Sequence, residues 1–100
     1  MRTYSAKTPE ERILLTMDFS ERIPVGETIS APAVTAATYY GVDADPAVVL
    51  DGSPILSSKL VGQYVVGGLD GRQYAIAFEV TCSNGEIFVE QGLLPIKRFI

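Results

Sequence analysis

The sequence contains no histidine and no tryptophan, and only one of its 100 residues is a cysteine. Without histidine the chain lacks the usual general base, the commonest metal ligand and the partner that activates a serine or cysteine nucleophile. We therefore expect neither an enzyme nor a bound cofactor. A lone cysteine cannot form an intrachain disulfide, so packing must hold the fold, and a reducing compartment suits such a protein best.

Basic charge is scarce as well. Eight Lys and Arg residues stand against twelve Asp and Glu residues, and the basic residues are scattered between Arg2 and Arg98. Binding to nucleic-acid phosphates needs clustered basic side chains, so no nucleic-acid partner is expected. Residues 1–12 contain no apolar run long enough for a signal peptide or a membrane span, which predicts a soluble chain without a membrane partner.

Length and composition predict one globular domain. Hydrophobic residues make up 47% of the chain and charged residues 20%, an ordinary globular balance. One hundred residues suffice for one core. The polar residues 1–12 are interpreted as an N-terminal arm, with a helical turn capped by Thr8 as the alternative, and residues 13–100 as a single β-sandwich domain.

Alternation of apolar and polar residues predicts β-strands along most of the chain. The pattern is clearest from Tyr74 to Cys82, where Cys82 falls on the apolar face and is interpreted as a core residue. The predicted strands are 13–19, 28–38, 47–50, 59–66, 74–82 and 87–91, with 53–58 as a loop or a short edge strand. Asn84-Gly85 predicts a hairpin whose two turn residues take positive φ. Gly92 and Pro95 are expected to end the last strand, with Ile96 and Phe99 reaching the core.

Two clusters are candidate binding residues. Asp43, Asp45 and Asp51 are weak candidates for a calcium site, but the calcium-loop pattern is incomplete and no metal is predicted. Tyr39 and Tyr40 are interface candidates, because exposed aromatic side chains are common anchors between proteins. The alternative is that both tyrosines are half-buried at the end of a strand.

The segment from Leu69 to Tyr74 resembles the tyrosine corner of immunoglobulin-like sandwiches, with Gly71 in the turn and Tyr74 entering an alternating strand. Six or seven short strands without an amphipathic helix fit the same class. The predicted fold is therefore all-β, an immunoglobulin- or fibronectin-III-like β-sandwich of about six or seven antiparallel strands. Tyr74, Gly71, Asn84 and Gly85 are assigned structural roles in it.

The order of several short runs resembles a family of small tailed-bacteriophage and prophage proteins, the fibre-tail adaptor or head-tail region proteins. The resemblance covers Leu14 to Ile96 and rests on residues 15–20, 26–29, 67–74 and 80–85. It implies a non-enzymatic virion protein that is assembled in the bacterial cytoplasm and acts as a tail or head-tail adaptor or decoration module. Its partners would be other virion proteins, and a homo-oligomer stays open.

A carbohydrate-binding or adhesive sandwich is the alternative function. Tyr39, Tyr40 and Tyr64 would then form an aromatic platform beside a calcium site, although sugar platforms usually contain the tryptophan that this chain lacks. The two functions predict different surfaces. A sugar site requires coplanar exposed aromatic rings, whereas an assembly module requires an exposed apolar patch or an unprotected edge strand.

Overall fold

Two β-sheets pack face to face around one core. The computed structural model describes residues 2–98, with the side chains of residues 47 and 48 outside the description. The elements are β1 (Arg2–Thr3), β2 (Ile13–Asp18), β3 (Ile29–Tyr40), a 3₁₀ turn (Pro46–Val49), β4 (Leu50–Ser57), β5 (Leu60–Val65), β6 (Gln73–Cys82) and β7 (Ile87–Pro95).

The strands form one sheet of four, in the order β1-β7-β6-β3, and one sheet of three, in the order β2-β5-β4. The predicted all-β sandwich is thus confirmed, while its immunoglobulin-like class stays a prediction. Every pair is antiparallel except β1 with β7, which is parallel. A parallel pair needs a long crossover between its strands, and here the rest of the sandwich lies between them.

Alternating side chains of both sheets fill the core. Along β6, the side chains of Tyr74, Ile76, Phe78 and Val80 are all fully buried, and Cys82 lies at the end of the same row. The facing sheet contributes mainly β2 and β5 side chains. Burial of each such aliphatic or aromatic side chain stabilises the fold by about 1.5–3 kcal/mol.

The β6–β7 hairpin is present, but its turn differs from the predicted one. The amide of Gly85 donates to the carbonyl of Cys82 at 2.9 Å, and Gly85 has a φ of 91°. Asn84 does not have a positive φ, because Ser58 is the only such non-glycine residue among those described. The connection is therefore a type I turn followed by a glycine bulge. Asn84 Oδ1 accepts a hydrogen bond from the amide of Glu86 at 3.0 Å.

The predicted strand at residues 47–50 is wrong. Residues Pro46–Val49 form a 3₁₀ turn instead, and β4 begins at Leu50. Proline lacks an amide hydrogen and fixes a φ that suits the first residue of a helical turn, so the apolar run coils before it extends. The turn places the side chain of Val49 in the core with no exposed surface.

The predicted edge strand at 53–58 is part of β4, an edge strand with a bulge between Asp51 and Ile55. The bulge accommodates Pro54, which could not donate to a central ladder. The buried side chain of Gln63 supplies hydrogen bonds to backbone carbonyls at the bulge. Its Nε2 donates to the carbonyls of Asp51, Gly52 and Tyr64 at 3.1–3.2 Å.

Strand β7 continues to Pro95, four residues beyond the predicted end, and Tyr4 covers Gly92 within it. A Cβ atom on Gly92 would lie 2.3 Å from the Tyr4 ring, so only glycine fits beneath it. The Tyr4 hydroxyl donates to the carbonyl of Thr16 in β2 at 2.8 Å. Tyr4 therefore joins the edges of the two sheets.

The N-terminal segment follows β7 as far as Lys7, whose amide donates to the carbonyl of Pro95 at 3.0 Å. The Lys7 side chain is fully buried, and its Nζ donates to the carbonyls of Thr8 and Gly67 at 2.7 and 2.5 Å. Burial lowers the pKa of this amine, although nearby Glu11 and Glu10 oppose the shift. The division into an arm of 1–12 and a domain of 13–100 stays a prediction.

Ile96 is 2% exposed and belongs to the core, whereas Phe99 lies outside the described residues. Across residues 2–98, no helix has the length and apolar character needed to cross a bilayer.

Candidate interaction surface

A hydrogen-bonded corner organises the end of the sandwich where β3 stops and β6 starts. The hydroxyl of Tyr74 accepts a hydrogen bond from the amide of Leu69 at 3.0 Å and donates to Asp43 Oδ2 at 2.6 Å. Gly71 allows the preceding loop to turn back with a φ of 80°, and its amide donates to the carbonyl of Ile96. The corner thus ties two loops together through one buried phenol.

The bond between Tyr74 and Asp43 changes the ionisation of both groups. It is the main cause that lowers the pKa of Asp43, and the amide of Asp45 and the guanidinium of Arg72 act in the same direction. The pKa of Tyr74 is raised, first by burial and then by its bond to Asp43. At neutral pH the carboxylate is therefore charged and the phenol is protonated, which is the state in which the bond is strongest.

Arg72 fastens the same two loops from the outside. Its Nε donates to the carbonyl of Val42 at 3.1 Å, and its Nη1 donates to the carbonyl of Asp70 at 3.0 Å. Its alkyl stem covers Gly41, where a Cβ atom would lie 2.8 Å from Arg72 Cγ. The loop after β3 therefore has a fixed support although most of it is exposed.

Four apolar side chains project from this supported end, and we call them the tyrosine-end surface. They are Tyr39, Tyr40, Val42 and Leu69, which are 59%, 65%, 78% and 45% exposed. The predicted half-buried alternative for Tyr39 and Tyr40 does not match these exposures. Rigid aromatic side chains on a pre-organised support lose little conformational entropy when they bind.

The three candidate aspartates have different neighbours. Asp43 is bound to Tyr74, and its Oδ1 accepts from the amide of Asp45 at 3.0 Å. Asp51 instead forms an ion pair with Arg12 at 2.7 Å. Among the described residues, no group of three or more acidic or cysteine side chains is placed to hold a metal ion.

The three tyrosines of the alternative sugar platform do not share a surface. Tyr64 lies in β5 of the three-stranded sheet, whereas Tyr39 and Tyr40 end β3 of the other sheet. The guanidinium of Arg12 covers the Tyr64 ring at 3.9 Å from its centroid. A coplanar platform of all three rings is therefore not formed.

A second apolar patch lies on the outer face of the three-stranded sheet. Leu14, Ile55 and Leu60 are 45%, 47% and 42% exposed there. Leu14 and Ile55 flank Gly62, where a Cβ atom would lie 3.2 Å from Leu14 Cδ1. We call these three residues the Gly62 patch.

One known protein family matches most of the chain. The family model described as podophage GP4 fiber-tail adaptor protein gp77 matches residues 7–95. The chain belongs to this family. A search of the curated proteins finds no significant match.

Membership in the fiber-tail adaptor family confirms the predicted resemblance and supports a structural role in the phage tail. The family match spans strands β2 to β7, the tyrosine corner, and the end of β3 with the loop that follows it. The residues of the tyrosine-end surface and of the Gly62 patch all lie within the matched range.

Sequence reasoning missed several residues that build this surface. Val42 could have been identified from the sequence, because it is an apolar residue between glycine and aspartates, which are the residue types that usually form turns. The roles of Arg72 and Leu69 depend on the approach of two loops that are 30 residues apart, and no local pattern indicates that approach.

Proposed function

We propose that this chain is a non-enzymatic structural component of the podophage virion that joins tail and fibre proteins through protein–protein contacts. It assembles with those proteins in the host cytoplasm and remains in the finished tail. The family match carries the general role. The tyrosine-end surface is proposed as the contact to the partner.

The observation that supports this contact is the combination of exposure and rigidity. Tyr39, Tyr40 and Val42 are among the most exposed large apolar side chains of the described chain. The loop that follows Tyr40 is nevertheless held by the bonds that Tyr74 and Arg72 make to Asp43 and Val42. Tyrosine is enriched at the energetic centres of interfaces, so truncation of a tyrosine there typically weakens binding by 1 kcal/mol or more.

The first experiment tests the location. Antibodies against the purified chain would be applied to podophage particles whose genome encodes it, and electron microscopy would show where they bind. Labelling at the junction of tail and fibres is the expected result. Labelling restricted to the capsid, or absence of the chain from purified particles, would contradict the proposed function.

The second experiment tests the surface. Binding of the purified chain to purified tail and fibre proteins of the same phage would be measured for the wild type and for the double variant Tyr39→Ser, Tyr40→Ser. We expect at least about tenfold weaker binding for this variant. The matched control is Leu14→Ser, Leu60→Ser, which removes similarly exposed apolar side chains from the Gly62 patch. A control that loses binding while the tyrosine variant retains it would move the contact to that patch.

A further inference from the structure

Strand β3 forms a long, uncharged edge of the four-stranded sheet. It lies at the end of the four-stranded sheet, and β6 is its only hydrogen-bonded neighbour in that sheet's order. It is the longest of the described strands, with twelve residues, and none of these residues is charged. Free edges of native sheets are normally short, charged or bulged, because an open row of amides and carbonyls recruits another strand.

The other three edges are protected. Strand β1 has two residues and carries Arg2. In β2, the hydroxyl of Tyr4 occupies the carbonyl of Thr16. Strand β4 contains Pro54 within its bulge. Strand β3 has no such device between Ala33 and Thr38, because its single proline, Pro32, and its two register irregularities lie near its ends.

Pro32 also indicates which backbone groups of β3 point outward. The pairing of β3 with β6 is unbroken from Ala31 to Thr38, and proline cannot donate to that ladder, so the backbone of Pro32 faces the free edge. Bonding direction alternates along an antiparallel strand. The backbone groups of Val34, Ala36 and Thr38 therefore face the free edge too.

The outward backbone groups of these three residues can pair with the same groups of a second copy of the strand. If two β3 strands meet antiparallel about a two-fold axis at Ala36, then Ala36 exchanges both backbone bonds with Ala36 of the second copy. Val34 and Thr38 then exchange both bonds with Thr38 and Val34 of that copy. Every outward amide from Val34 to Thr38 gains a carbonyl partner, and the proline stays outside the paired centre.

The side chains agree with this register. On the outer face, Thr35 would lie opposite Ala37 of the second copy, and Ala33 opposite Tyr39, so the facing residues are small or aromatic and uncharged. No like charges would face each other within the paired strands, because β3 contains no charged residue. The antiparallel arrangement also separates the two acidic loops that begin after Tyr40.

We propose that β3 is the interface with a second copy of this chain, and that the two four-stranded sheets continue into one eight-stranded sheet across a two-fold axis. The interface uses the edge of β3, and Tyr39 is the one residue of the tyrosine-end surface that it reaches. The paired centre from Val34 to Thr38 contains none of the residues substituted to test the contact to tail proteins, so the two proposals are tested separately.

The test is the mass of the purified full chain by sedimentation velocity over a concentration series, together with amide hydrogen exchange. A dimer is expected, and the Ala36 amide should become protected as the dimer forms. The Thr35 amide, which faces β6, should be protected at every concentration. A chain that stays monomeric throughout would overturn the proposal.

Two variants locate the interface. Ala36→Pro removes the central outward amide without touching the ladder to β6, and Thr35→Lys places a charge on the edge strand. Each should weaken the dimer by about tenfold or more. The matched control is Ala77→Lys, because Ala77 lies opposite Thr35 on the adjacent inner strand. It places the same charge on the same face but not at the edge.

Circular dichroism would verify that each variant is folded, and the exchange measurement on the wild type does not depend on any variant. A dimer that survives both edge variants would place the interface elsewhere and overturn the proposal. Protection of the Ala36 amide only after a tail protein is added would overturn it as well, since the edge would then accept a strand of another protein.

Discussion

The hydroxyl of Tyr74 lies 2.6 Å from Asp43 Oδ2 and 3.0 Å from the amide of Leu69. This one phenol connects the loop after β3 with the loop before β6, whose residues are distant in sequence. The Asp43 bond goes beyond the tyrosine corner expected from the sequence and gives the exposed loop a fixed position. The rigidity of the tyrosine-end surface should therefore depend on Tyr74.

Replacement of Tyr74 by phenylalanine should destabilise the protein by about 1–2 kcal/mol, because both bonds of the hydroxyl are lost while the ring stays in the core. The melting temperature should fall by about 4–8 °C for each kcal/mol. Denaturant titration and calorimetry would measure both quantities. The control is Tyr39→Phe, since the Tyr39 side chain is exposed and should tolerate the change. Equal effects of the two substitutions would contradict the role of the corner.

Replacement of Asp43 by asparagine should lower the melting temperature at neutral pH, and the difference from the wild type should shrink in acid. The pKa of Asp43 is lowered in the folded state, chiefly by Tyr74, so its stabilising effect is complete above the unfolded pKa of about 3.9. The effect is lost as the pH falls through the lower folded pKa. Melting curves recorded between pH 7 and strongly acidic pH would show the convergence.

The control for that pH series is Asp45→Asn, which removes the same charge from the same loop without altering the bond to Tyr74. It leaves the bond between Asp43 and Tyr74 in place, so it should not reproduce the lower melting temperature of Asp43→Asn at neutral pH. If the Asp43→Asn curve stays parallel to the wild type down to the lowest pH, the carboxylate does not stabilise the fold through its charge.

Local pattern predicted most of the fold. The alternation along β2 and β6 and the Asn84-Gly85 turn are short-range signals, and they gave the right elements because burial on one face determines the register. The 3₁₀ turn at Pro46–Val49 was missed since four apolar residues fit a strand and a buried helical turn equally well.

The candidate site was less predictable. Tyr39 and Tyr40 were identified from residue type alone, but their support by Arg72 and Asp43 depends on contacts across the sandwich. The parallel pairing of the N-terminal segment with β7 also has no local signal, because it places residues some 90 positions apart side by side. Such non-local pairings follow from the packed structure and not from periodicity.

Replacement of Gln63 by methionine should destabilise the protein by about 1–3 kcal/mol. The side chain of Gln63 is 1% exposed, and its amide group donates to three carbonyls around the bulge of β4. Methionine keeps the volume but leaves those carbonyls without this donor. Urea titration would measure the loss, and amide exchange should quicken locally in β4. Gln91→Met, on the exposed outer face of β7, should have little effect.

Replacement of Gly92 by alanine should destabilise the protein by about 1–3 kcal/mol, although alanine is ordinarily tolerated in a strand at least as well as glycine. The reason is steric, because the added Cβ would lie 2.3 Å from the Tyr4 ring, and Gly92 has no positive φ that would add backbone strain. Displacement of the ring would also break the bond from its hydroxyl to Thr16. Equilibrium unfolding in denaturant would measure the change.

A double-mutant cycle separates this steric effect from a general weakness of β7. Tyr4→Ala alone should be strongly destabilising, because it removes a side chain that is only 8% exposed. In that background Gly92→Ala should be neutral or stabilising, since nothing then occupies the space of the new methyl group. If Gly92→Ala costs the same with and without the Tyr4 ring, the two residues are not coupled and the N-terminal segment is not fastened to β7 through this contact.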